Sequence, residues 1–253
     1  MSLRGRLVFF CLAGAGLAAA LGIAFAGLGA FGRPISAYAQ LLNHLAPIQR
    51  RVTDVVSAVT FDYRGIDTLF EEFILFSAVT GISVLLRPLA DEIRRLPADE
   101  APDRRIPPPS PAVGMLGVVL SPLMVLIGLE TVTHGQLTPG GGFQGGVIMA
   151  SGLYVIYLAT DYATVARFEP IALLEASDGL GAAGYVFIGL LGLFVGAAYL
   201  TNVVSLGHVG NLVSGGTIPL LNAVVGVEVA AGFAILGSEF LDQTAVIRQP
   251  HAP

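Results

Sequence analysis

The sequence predicts an all-α integral membrane protein, with about six transmembrane helices arranged as a two-helix module and a four-helix module. Three observations carry that expectation. Hydrophobic residues make up 54% of the 253 positions and charged residues only 12%, too oily for a soluble surface. Six stretches approach the ~20 apolar residues that a spanning helix needs. A Pro- and charge-rich segment, RPLADEIRRLPADEAPDRRIPPPSP from Arg87 to Pro111, separates the first two stretches from the last four.

The first stretch, Leu7–Phe31, follows Arg4 and Arg6 as a secretory leader would. It runs too long for a leader and lacks an A-x-A-like site with a polar sequel, so it reads as a retained helix. The connection after it contains VTDVVSAVTFDYRG, in which Val52, Val55, Val56 and Val59 repeat at i, i+3, i+4 and i+7. That period predicts a short amphipathic helix lying on the interface or on a neighbour. Gly65 is placed to end it, and Thr68 with Glu71 three residues on predicts a capping box for the second span, Leu69–Leu86. Residues 1–90 form the two-helix module. Residues 91–111, without an apolar period, read as a solvated cytoplasmic linker. Ala112–Val132, Gly145–Thr160, Leu180–Leu200 and Leu220–Leu241 supply the four spans of a module over 112–245, with 246–253 as a tail.

Charge sets orientation and excludes one class of partner. The chain has no Lys and 13 Arg. Nine of these lie in the N-terminus, 87–111, 161–179 and the C-terminus, which places both ends in the cytoplasm, with the chain crossing the membrane several times. With a net charge of −5 and no basic face, nucleic acid is not a partner; the lipid bilayer is. The single Cys11 lies within an apolar run and supports neither a disulfide framework nor a thiolate metal site.

Two segments carry candidate chemistry in the connections. FDYRGIDTLFEEF, Phe61 to Phe73, crowds Asp62, Arg64, Asp67, Glu71 and Glu72 against an apolar helix. Such carboxylates either face a bundle interior and an ion path or rest solvated in the headgroup layer, and spacing alone leaves both readings standing. HGQLTPGGGFQGG, His134 to Gly146, places five glycines within 140–146. It lacks the Lys and the βα setting of a nucleotide loop. It predicts instead a sharp turn at Pro139, Gly140, Gly141 and Gly142 and a helix starting near Phe143, with Gly145 and Gly146 allowing another helix to approach at backbone distance.

Within or beside the spans lie further polar residues. Glu130 and His134 share a helix face if the helix continues that far, a spacing suited to passing a proton or to an idle interfacial pair. No third ligand stands nearby, so no metal site is expected. Asn222 and Glu228 lie in LLNAVVGVEVAAGFAIL, and Glu228, near mid-span, needs a hydrogen-bond partner, a cation or a proton.

HGQLTPGGGFQGG and GGTIPLLNAVVGVEVAAG resemble the two signature regions of the MrpB (MnhB) subunit of multisubunit Mrp sodium/proton antiporters, over roughly 112–245. The domain is similar to one in membrane-bound hydrogenases related to complex I. FDYRGIDTLFEEF resembles the D-F-R-G-F-D-T-x-x-E motif of the C-terminal part of MrpA and of MbhE-type hydrogenase subunits. Asp62, Arg64, Asp67, Thr68 and Glu71 match that motif; Tyr63 and Ile66 depart from it. The resemblance implies an all-helical accessory subunit of a Na⁺/H⁺ antiporter, beside separate, larger subunits related to complex I. It implies no cofactor beyond transported Na⁺ and H⁺ and no catalytic residue, so the chain is not expected to be an enzyme. Asp62 and Glu71 fall where the family's cation path has been placed, and Glu228, His134 and Glu130 are further candidates for that path. An ion-translocating subunit of a complex I-related hydrogenase or sulfur reductase, and a structural scaffold, are the competing readings.

Overall fold

In a computed structural model, residues 3–28, 36–87, 110–160 and 170–247 are described, and among them all regular structure is helical. The chain falls into two compact units, Met1–Leu41 and Leu42–Pro253. The first contains α1 (Leu3–Ala26), whose Phe10–Ala26 part is apolar but shorter than the other spans. The boundary falls within α2 (Ala37–Gln49). Most of the expected linker 91–111, and residues 248–253 of the tail, lie outside the described residues.

The second unit holds five helices long and apolar enough to cross a membrane. A short α3 (Val55–Ala58) runs into a π-helical turn (Val59–Tyr63) and then into α4 (Gly65–Leu86). Beyond the linker follow α5 (Pro111–Thr133), α6 (Gly142–Ala159), α7 (Ile171–Phe194) and α8 (Ile218–Ile247). Ser110 starts α5 by accepting the Val113 N–H at 3.3 Å, with Pro111 in the first turn where its missing N–H costs nothing. Asp54 caps α3 in the same way, accepting the Ser57 N–H at 2.9 Å.

α8 is the central helix. Over half of its span (56%) is buried, against 11% for α4 and 17% for α5, so the outer faces of α4 and α5 present apolar side chains to whatever surrounds the unit. α6, α7 and α4 pack on α8, and α5 packs on α6. The α5–α6 crossing depends on bare backbone: a Cβ added to Gly145 would lie 2.6 Å from the Gly128 carbonyl oxygen, and one added to Gly128 as close to that of Gly145.

Three local expectations are corrected. Thr68 does not cap a helix. α4 begins at Gly65, which opens this helix instead of closing the one before it, and the Thr68 hydroxyl donates to the Thr60 carbonyl at 2.7 Å across the π turn. The Val52–Val59 pattern is not one amphipathic helix, because Val52 precedes α3 and Val59 begins the π turn. The expected span Leu180–Leu200 is displaced: α7 starts at Ile171 and ends at Phe194, bringing Glu175 and Asp178 into the helix. Counting only apolar residues penalises a helix that carries acids on its inner face.

Candidate functional site

α4, α7 and α8 together enclose three carboxyl side chains. Glu228 is 0% exposed, Glu72 2% and Asp178 4%, and each has at least one oxygen without a hydrogen-bond partner; for Glu228 this holds for both. Each lies within electrostatic reach of another: Glu72 of Asp178, and Glu228 of both. Among the described residues no ion pair reaches them. A carboxyl so placed needs a proton, a cation or water.

Glycines make the room. On α7, Gly181 lies against Glu228, so that a Cβ there would meet the Glu228 Cβ at 2.5 Å; on α8, a Cβ at Gly232 would stand 3.1 Å from Asp178 Oδ1. One turn further along α7, the buried Tyr185 hydroxyl donates to the Gly65 carbonyl at 2.8 Å and ties α7 to the start of α4. Along α4 the order is therefore Gly65, Glu72, then Val79, which shares the Gly232 site with Asp178. From Glu72 to Val79 is seven residues, about 10 Å of helix.

Two cavities meet this row. One, of about 430 Å³, opens between the start of α4, the π turn and the glycine turn, with Glu71, Glu72 and Gln144 in its wall. Another, of about 530 Å³, lies between the later half of α4, the start of α7 and Ile235, with Asp178, Glu175 and Arg87 in its wall. Arg87 forms ion pairs there with both Glu175 and Glu239.

The glycine turn is held from three sides. Gly140 and Gly141 take φ of 153° and 123°, a region that L side chains avoid. The Gly142 N–H at the start of α6 donates to Asn222 Oδ1 at 2.8 Å. Asn222 Nδ2 in turn donates to the Ser57 hydroxyl at 3.1 Å and the Ile218 carbonyl at 3.2 Å, so one side chain joins α8, α3 and the turn. The Gln136 carbonyl accepts from the Thr53 and Asp54 N–H groups. Gly145 and Gly146 are buried between neighbouring helices, while Pro139 and Phe143 are exposed.

Of the residues singled out from sequence, Glu228 and Glu72 lie in the buried row. Glu71 is exposed and lines the first cavity beside the buried Glu72. Asp62 is in an ion pair with Arg50 Nε at 2.5 Å and accepts from Asn202 Nδ2 at 3.0 Å, within the wall of a separate cavity of about 590 Å³. Glu130 and His134 approach to 3.4 Å on an exposed end of α5. Asp178, which precedes the expected span Leu180–Leu200, is a buried residue of the row that an apolar count does not find. Glu175, Asp178, Ala182 and Tyr185 recur at i, i+3, i+7 and i+10, a helical stripe that marks one face of α7. Among the described residues no three His, Cys, Asp or Glu side chains converge to hold a metal ion.

The fold and site define a multi-pass, all-helical membrane subunit. The chain belongs to the MnhB family: residues 112–235 match the model described as a domain related to the MnhB subunit of Na⁺/H⁺ antiporters. It is 32% identical over 197 residues to an uncharacterized protein of Methanocaldococcus jannaschii, covering 72% of this chain and 75% of the relative. Its fold is similar to that of a chain of the archaeal membrane-bound sulfane sulfur reductase, a respiratory membrane complex, with TM-score 0.70, 28% identity and 95% and 99% of the two chains covered. It is also similar to a chain of the Mrp complex from Dietzia sp. DQ12-45-1b, with TM-score 0.71 and 25% identity; 94% of this chain is covered but only 26% of that longer one.

Proposed function

We propose that this chain is a membrane subunit of a multisubunit cation/proton antiporter, exchanging Na⁺ for H⁺ with other subunits, and that it lines part of the ion route. Family membership and the Mrp neighbour support the assembly. Support for the route comes from one observation: Glu228, at mid-span of the central helix, is fully buried with neither oxygen hydrogen-bonded. The chain works as a transport subunit without a catalytic residue of its own, and the glycine turn serves packing. The test is Na⁺-dependent proton flux in everted vesicles that contain the whole complex, compared with vesicles in which this gene is deleted. Equal flux in the two, with the remaining subunits assembled, refutes the reading.

A second reading rests on the end-to-end match with the sulfane sulfur reductase chain, 95% of one and 99% of the other. There the same module would serve a redox complex. Purifying the assembly through this chain separates the two, since co-purifying iron–sulfur subunits and sulfane sulfur reduction favour the redox complex.

A further inference from the structure

Resting on the proposed ion-route role, the arrangement of the row specifies which ion moves and how. We propose that Glu72, Glu228 and Asp178 form a proton relay through the bundle, entered at one end from the glycine-turn cavity and at the other from the cavity beside Arg87. The cavities reach opposite ends of the row: one wall contains Glu72 and Val225, the other Asp178 and Ile235. α4 and α8 run past both, and Glu228 lies between Val225 and Ile235 on the central helix.

The chemistry suits a proton and not a bare cation. A dehydrated Na⁺ needs several oxygens at one point, whereas Asp178 lies beside Gly232, about one turn of α8 from Glu228, and no three His, Cys, Asp or Glu side chains converge to hold a metal ion among the described residues. Passing a proton requires one acceptor oxygen at a time. A proton arriving from the first cavity joins Glu72, the Glu72 proton passes to Glu228, that of Glu228 to Asp178, and Asp178 releases one to the second cavity. One proton enters as one leaves, and only O–H bonds change. Rotation of the Glu228 side chain or a bridging water carries the proton from one carboxyl to the next. The charged groups facing the row are Glu71 at one mouth and Arg87, Glu175 and Glu239 at the other; Tyr185 flanks Glu72.

The test uses the assembled complex in everted vesicles. Glu228→Gln and Asp178→Asn should each lower Na⁺-dependent proton flux by about tenfold or more, while assembly stays at the wild-type level and Asp178→Glu restores part of the flux. Val213→Ala, on an exposed loop, should change nothing. Wild-type flux in both assembled variants overturns the relay while leaving the subunit assignment standing; absence of flux in the wild type itself overturns the assignment. Should a variant fail to assemble, the wild-type complex offers a check of its own. Dicyclohexylcarbodiimide attacks protonated carboxyls in apolar surroundings, and mass spectrometry should find its adduct on Glu72, Glu228 or Asp178. None of the three modified, with other carboxyls of the complex labelled, overturns the relay.

Discussion

Asp178 and Gly232 face each other where α7 crosses α8, with Asp178 Oδ1 only 3.1 Å from the point a Cβ on Gly232 would occupy. One turn away the roles exchange: Gly181 of α7 lies against Glu228 of α8. Each helix supplies the glycine that makes room for the other's acid, so helix packing and acid burial are one arrangement.

Gly181→Ala should therefore be the more damaging of the two glycine changes. Its Cβ would stand 2.5 Å from the Glu228 Cβ and 2.9 Å from the Glu228 backbone, which cannot give way without moving the helix. A cost of about 1–3 kcal/mol is expected, read as a lower melting temperature of the purified complex. Gly232→Ala, meeting two side chains at 3.1 Å, should cost less and act mainly by displacing Asp178, lowering flux with little loss of melting temperature.

Asn222→Leu should loosen the glycine turn. It leaves the buried Gly142 N–H and the Ser57 hydroxyl without their present partner, a loss of about 1–3 kcal/mol for the unsatisfied amide. Hydrogen exchange over residues 139–146 checks it: faster exchange is expected there, and exchange unchanged from the wild type contradicts the role given to Asn222.

Asp54 gives a pH dependence. Burial holds its carboxyl above the ordinary range, partly offset by the Ser57 and Val56 N–H groups. An acid whose folded-state pKa is raised contributes its full stability below the unfolded value, and that contribution declines as pH rises through the window between the two values. Asp54→Asn keeps the cap and removes the titration, so the variant should gain relative to wild type as pH rises above the ordinary aspartate range. Asp54→Ala also removes the titration but loses the cap, and should lie about 1 kcal/mol below Asp54→Asn across the range. Melting curves of the complex across that range check both.

Asp62 is tied to Arg50 and Asn202, and its substitution should act first on structure. Asp62→Ala is expected to cost about 2 kcal/mol for the charged hydrogen bonds it removes. In a double-mutant cycle with Arg50→Gln the two losses should fall short of adding. Full additivity contradicts the pairing.

The helices and the start of α6 were legible because apolar length and glycine placement are local properties. The burial of Glu228 was legible too, since no apolar span can place its middle in water. Asp178 was not: its burial depends on Gly232 and Val79, residues 54 positions ahead and 99 behind, and an apolar count moved the helix start past it. The same limit applies to Glu72 and Glu71. Both carry the same group on adjacent positions, and only the packing of α7 and α8 decides which turns inward. Thr68 looked like a cap because the π turn, which supplies the Thr60 carbonyl to its hydroxyl, has no signature in local composition.

α4 is fastened at both extremities, by the Tyr185 hydroxyl on Gly65 at one and by Arg87 clasped between Glu175 and Glu239 at the other. A rod pinned to α7 at both ends, and to α8 at one, acts as a strut, unable to slide or rock without breaking an anchor. Proton passage along the proposed row then falls to swinging side chains and not to helix movement, and a cross-link joining α4 to α7 should leave turnover intact.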